Sequence, residues 1–248
     1  MNDLVAGRRA VLEALRAGTR RIARLFVLDG GRGGPFREVM ELATKQGIPV
    51  ESASRERLDR LARGVMHQGV VAVGPEPSAP GTGGLEGLLA RLGAGGEPAL
   101  LVALDEVKDP QNVGAVVRTA EAAGAQAVIL TAHRTAGDGP GLARASAGAV
   151  EYLPLIRVVN LRDALERLKE AGCRVVGADA AGTRAHTDTD LAGPVVLVLG
   201  EEGRGLRELT RKTCDELVRI PMRGKVASLN VSAAAAVLLY EAVRQRLK

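Results

Sequence analysis

The chain has 248 residues, 46% of them hydrophobic but only 2% aromatic, so it can bury one large or two ordinary cores built from aliphatic side chains. The absence of Trp, with two Tyr and two Phe, excludes a binding surface made of rows of aromatic stacking platforms. The net charge of +5 suits a polyanionic partner, although an Arg-rich solvated surface carries the same charge.

Apolar spacing predicts helices over 9–15, 36–45 and 55–62 and strands over 25–28, 48–51 and 70–73. This is a small α/β domain over 1–75. It opens with a basic cluster of Arg8, Arg9, Arg16, Arg20, Arg21 and Arg24. Such a run is ordinarily a solvated helix face; beside the positive net charge it also fits a patch for RNA phosphates, and both readings stay open. A Pro- and Gly-rich stretch over 76–95 reads as a linker holding one short helix at 85–92. The remainder, 96–248, alternates more plainly. The continuous apolar run at 99–104 reads as a strand buried on both faces; 127–130, 174–178, 194–199 (the most apolar) and 217–220 read as further strands. Between them lie a helix opened by Asp109 as N-cap with Pro110 at its first position and ended by Gly124, a helix over 161–170, and a closing helix over 231–247. The pattern is α/β, a mostly parallel sheet with helices on both faces.

Ligands of open α/β sheets bind beyond the carboxyl ends of the strands. Three strand exits carry unusual residues. The first, Asp109-Pro110-Gln111-Asn112-Val113-Gly114 running on to Arg118, could be a capped helix with a solvated Arg118–Glu121 pair. The second, Gly200-Glu201-Glu202-Gly203-Arg204-Gly205-Leu206, matches neither dinucleotide nor phosphate-loop glycine patterns, and its glutamates would suit a cationic or hydroxyl-bearing ligand. Alone it reads as a surface turn. The third, from Ile220-Pro221-Met222 through Ser228, Leu229 and Asn230 to Ser232, could be a helix approach with Ser228 or Asn230 as N-cap.

Cys173 and Cys214 lie far apart without a Cys-x-x-Cys pair, and His67, His133 and His186 lack metal-ligand spacing, so no disulfide framework and no metal is expected. There is no signal-peptide pattern and no apolar run near the ~20 residues of a membrane span. No membrane partner and a cytoplasmic location follow.

Taken together and in this order, the three segments resemble the motifs of the SpoU (TrmH-like) RNA 2′-O-ribose methyltransferases. The likeness extends through Ala145-Ser146-Ala147-Gly148-Ala149, the ending Tyr240-Glu241-Ala242-Val243-Arg244-Gln245-Arg246, and, near the N-terminus, Gly7 to Leu15 and His67-Gln68-Gly69-Val70-Val71-Ala72. It covers nearly the whole chain.

The resemblance implies a C-terminal parallel-sheet domain with a deep trefoil knot (SPOUT-type), a small N-terminal α/β domain that binds substrate RNA, and a homodimer. It implies S-adenosylmethionine as methyl donor, leaving as S-adenosylhomocysteine, held at Gly200, Gly205, Ile220, Met222 and Leu229. Catalysis falls to Asn112, Arg118, Glu202, Ser228 and Asn230. Because a guanidinium keeps its proton, Arg118 is better suited to clamp a phosphate and stabilise an alkoxide than to act as a base, the role proposed for it in the family. Glu201 stands where many members have a small residue, which leaves the choice between the two glutamates open. RNA contacts are expected at Arg8, Arg9, Arg20 and Arg21. The nearest resemblance points to a guanosine of 23S rRNA; tRNA, or a catalytically silent RNA-binding protein on the same fold, are the alternatives. A nucleotide-dependent oxidoreductase is disfavoured by the missing glycine fingerprint after Leu104.

Overall fold

The computed structural model describes residues 3–31, 34–75, 84–94, 96–132 and 140–247. The expected linker residues 76–83 and 95, and His133, lie outside them. The chain forms two compact units, one within Met1–Gly81 and Gly137–Tyr152, the other within Thr82–Ala136 and Leu153–Lys248.

In the first unit the chain runs β1 (Asp3–Ala6), α1 (Arg8–Ala17), β2 (Arg24–Leu28), α2 (Arg37–Lys45), β3 (Val50–Ala53), α3 (Arg55–Ala62) and β4 (Val70–Gly74). The strands form a mixed sheet in the order β1-β4-β2-β3. β3 starts two residues later than its apolar run predicts. Ile48 is spent elsewhere: Gly47 turns left-handed at φ 66°, and the Ile48 N–H donates to Ala43 O at 2.9 Å, closing the end of α2. β1 was not foreseen.

In the second unit, α4 (Gly84–Gly93) is followed by β5 (Leu100–Asp105), α5 (Pro110–Ala122) and β6 (Ala127–Thr131). Helix α4, expected inside a linker, instead buries Leu88 in the core of this unit. After β6 the chain leaves for α6 (Pro140–Ala145) and a 3-10 turn (Ala149–Glu151), which pack with the first unit. It returns as β7 (Leu155–Val158), α7 (Leu161–Glu170), β8 (Arg174–Ala178), β9 (Arg184–Ala185), β10 (Val195–Gly200), α8 (Glu208–Thr213), β11 (Glu216–Arg219) and α9 (Val231–Arg246). All described pairings in its seven-stranded sheet, β7-β6-β5-β10-β8-β11-β9, are parallel.

Both faces of that sheet are covered, which explains the unbroken apolar runs. Leu101 and Ala103 of β5 join Leu88, Leu161 and Leu165 in one core cluster. Their neighbours Leu100, Val102 and Leu104 are buried on the opposite face, by strand alternation. Sequence order runs one way from β5 through β6 to β7, while β10 and β8 lie on the other side of β5. The switch point therefore falls between β5 and β10, where two of the three singled-out segments emerge side by side. Among the described residues no helix is long and apolar enough to cross a membrane.

Candidate active site

Asp105 and Gly200, the last residues of β5 and β10, are register partners. Beyond β5, the Asp109 side chain accepts the Gln111 N–H at 2.9 Å and Pro110 opens α5, as its sequence predicts. This puts Asn112 in the first turn, facing the start of α9, which packs on α5.

Beyond β10 the chain makes a tight turn. The Gly205 N–H donates to Glu201 O at 2.8 Å. Gly200 packs so closely that a Cβ there would lie 2.1 Å from the Gly205 carbonyl. Gly203 and Gly205 take φ of 85° and 67°, the left-handed region glycine enters without strain. The turn holds its glutamates apart. Glu201 ion-pairs with Lys108 at 3.1 Å, while Glu202 faces the N-terminus of α9.

Asn230 joins the three segments. Its Oδ1 accepts the Ser232 N–H at 2.9 Å and so caps α9. That fixes the amide orientation, and Nδ2 then donates to Asn112 Oδ1 and to Glu202 Oε2, each at 3.0 Å. Capping and bridging are both true of Asn230, and Glu202 is the glutamate in the cluster.

Two expected catalytic residues stand apart. Ser228 is exposed and makes no described hydrogen bond to the cluster. Arg118, six residues past Asn112, lies about 9 Å along α5 and about 120° around it. It is exposed, and among the described residues no carboxylate pairs with it, Glu121 included. Cys214 is no candidate nucleophile, because burial, with Asp215 beside it, pushes its thiol up to about 12.

The expected cofactor residues divide by element. Gly200 and Gly205 shape the turn after β10. Ile220 and Met222 are half-buried, and Leu229 is exposed, on a stretch after β11 whose backbone groups over 221–229 make no described hydrogen bond. Backbone donors and acceptors with no partner among the described residues, flanked by apolar side chains, fit an adenosyl group, and the Glu202 carboxylate, bonded to Asn230 at the end of this stretch, suits a positive sulfur.

In the first unit the basic cluster sorts into two kinds. Arg20 bonds both Asp3 oxygens, at 2.8 and 2.7 Å, and Glu151 at 2.7 Å, and is largely buried. Arg16 pairs with Glu13 and Glu38, and Arg24 with Glu51. Arg8, Arg9 and Arg21 have no carboxylate partner among the described residues. Arg8 and Arg9 line a cleft of about 430 Å³ with Gln68 and Arg144, a residue the sequence had not suggested. The one acid in its lining, Glu38, is already paired with Arg16.

Two family patterns cover this chain: the SpoU rRNA Methylase family over residues 99–240, and RNA 2′-O ribose methyltransferase substrate binding over residues 4–80. The chain belongs to the SpoU rRNA methylase family. It is 44% identical to the 23S rRNA (guanosine-2′-O-)-methyltransferase RlmB of Pseudomonas aeruginosa, over 98% of this chain and 97% of that protein. The RlmB of Bordetella pertussis is 43% identical over 98% of each chain. Among solved structures, the SpoU methyltransferase AviRb from Streptomyces viridochromogenes, in complex with AdoMet, superposes with a TM-score of 0.78 at 31% identity, covering 99% of this chain and 91% of its own.

Proposed function

We infer that this protein methylates the 2′-hydroxyl of a ribose in ribosomal RNA, a guanosine of 23S rRNA, using S-adenosylmethionine and no metal. The observation that carries this reading is the Asn230 bridge, which brings the three SpoU segments to one point beyond the switch of the parallel sheet. The relatives named RlmB, matched end to end, supply the substrate.

Bound S-adenosylmethionine supplies a methyl carbon on a positively charged sulfur. Asn112, Glu202 and Asn230 form a fixed polar wall on which a ribose hydroxyl can be oriented. Glu202 has an oxygen not engaged by Asn230, which would accept the hydroxyl's hydrogen bond and take its proton as the ribose oxygen is methylated. Arg118, which no carboxylate among the described residues engages, clamps the neighbouring phosphate and stabilises the developing alkoxide. Gly200, Gly205, Ile220, Met222 and Leu229 hold the donor, and Ser228 contacts it or the ribose. The first unit binds RNA through Arg8, Arg9 and Arg21. The strand order, with β10 between β5 and β8 and β11 between β8 and β9, supports the family's knot in this segment. A cytoplasmic homodimer completes the reading, on family resemblance alone.

The test is to map ribose methylation of total rRNA with and without the protein, together with thermal unfolding. S-adenosylhomocysteine should raise Tm and NAD should not. An rRNA methylation map that the protein leaves unchanged sinks the substrate assignment.

A further inference from the structure

We propose that Arg207, gripped by Asp105 and Glu106, is a positioning residue for Glu202. The proposal rests on the reading of Glu202 as part of the methyl-transfer site. Asp105 ends β5 with its side chain fully buried. Its Oδ2 accepts the Arg207 backbone N–H at 2.9 Å and its Oδ1 accepts Nε at 2.7 Å. One carboxylate thus holds both the backbone and the side chain of the same residue. Arg207 Nη1 reaches Glu106 Oε1 at 2.9 Å, and Glu106 takes a left-handed φ of 61°. A non-glycine residue there is held against its preference, and the ion pair with Arg207 is part of what holds it.

The consequence is geometric. The turn after β10 is closed at its base by the Gly205–Glu201 hydrogen bond and the Gly200–Gly205 contact. Residue 207 is where the turn is fastened to the neighbouring strand end, 102 positions earlier in sequence. Glu202 sits between these fastenings, and its distance to Asn230 is set by them. The Lys108–Glu201 pair also ties the turn, but Lys108 is more than half exposed and such a pair contributes little. The Asp105 carboxylate is buried while the Arg207 side chain is 42% exposed, so the desolvation cost offsets much of what the pair contributes to stability. What the ion pair adds is direction: two charge-assisted hydrogen bonds from one guanidinium residue fix a loop more sharply than packing does.

A double-mutant cycle separates positioning from mere stability. Arg207→Ala should keep its helical and sheet content and lower the single-turnover methylation rate about 10- to 100-fold, the scale of a small misplacement of a reacting group, with KM for RNA unchanged. In a Glu202→Gln background, Arg207→Ala should cause no further loss, since the residue acts through Glu202. Hydrogen exchange without any cofactor should show the Gly205 amide exchanging faster in Arg207→Ala while α5 and α9 stay protected. If Arg207→Ala does not fold, Arg207→Lys, which keeps the charge but not the fork, is read in the same cycle and the same exchange experiment. Losses that add across the cycle, or a Gly205 amide as protected as in the wild type, overturn the proposal. An inactive wild-type protein would instead overturn the methyl-transfer reading.

Discussion

The turn at 200–207 and the stretch at 220–230 both leave a strand of the same parallel sheet, yet they are built in opposite ways. The first is fastened by a backbone bridge, a glycine contact and the Asp105–Arg207 pair, so its own groups are largely spent on itself. The second makes no described backbone hydrogen bond over 221–229 and leaves Val226 and Leu229 exposed. One loop is finished by its neighbours; the other offers donors and acceptors with no partner among the described residues. The arginines of the first unit repeat the contrast. Arg20 is consumed by Asp3 and Glu151, while Arg8, Arg9 and Arg144 have no carboxylate partner among the described residues. Groups with no internal partner are the ones free to meet a ligand.

The sharpest test of that rule is Arg118. Arg118→Ala should cost at most ~0.5 kcal/mol of stability, since it is exposed and has no carboxylate partner among the described residues, and should lower the methyl-transfer rate by about 10²-fold or more. Arg118→Lys should recover little if geometry matters more than charge. Normal single-turnover kinetics in Arg118→Ala would break the link between an unspent group and function.

Asn230 stands on the border of the comparison, spent on a cap and on the bridge. Asn230→Asp keeps the Oδ acceptor for Ser232 but loses the donor to Asn112 and Glu202 and sets two carboxylates face to face. Its rate should fall about 10²-fold, with the α9 cap intact by circular dichroism. Activity near the wild type would show that the bridge is not needed.

Glycine substitutions compare the two loops directly. Gly200→Ala drives a Cβ into the Gly205 backbone and should cost about 1–3 kcal/mol or more in urea unfolding. Gly224→Ala meets nothing within 4 Å and should leave stability within about 0.5 kcal/mol of wild type. Equal effects would erase the distinction between fastened and open loops.

In the first unit, replacing Arg8, Arg9 and Arg144 with Ala should flatten the salt dependence of RNA affinity by about one unit of slope per lost phosphate contact. Arg20→Ala should instead destabilise the unit without a specific change in slope. A slope that follows Arg20 and not the other three would reverse the assignment.

The smallest effect is acid sensitivity at the end of α9. The Arg244 guanidinium, and then Gln245, hold the Glu241 carboxyl down from its ordinary 4.5 to about 2. A depressed carboxylate stabilises the fold above pH 4.5, and that contribution is lost as pH falls toward 2. Glu241→Gln should therefore be less stable than wild type at neutral pH, with the gap closing near pH 2. A gap of constant size across that range would exclude the ionic cause.

Much of this was legible in the sequence because local signals and tertiary outcome agree. The α5 start at Asp109-Pro110 and the limits of α7 and β8 lie where capping and apolar runs put them. Short elements escaped: β1, β7 and α8 are four to six residues long and carry too few periods to stand out. Asn112, Glu202 and Asn230 were named singly, but the bridge among them spans 118 positions and no spacing rule reports it. The choice between Glu201 and Glu202 needed Lys108 in place. Arg20 looked like its neighbours because its partner Glu151 lies 131 residues away.

The excursion of α6 and Glu151 into the first unit changes what a domain boundary means here. The chain passes between the units at three places, after residues 81, 136 and 152. A single cut in the 76–83 stretch would leave the pieces interlocked through α6, and a fragment ending at residue 75 would present Arg20 with half its counter-charge missing. The first unit is thus not a detachable module: any ancestor or engineer exchanging it must carry the loop between β6 and β7 along.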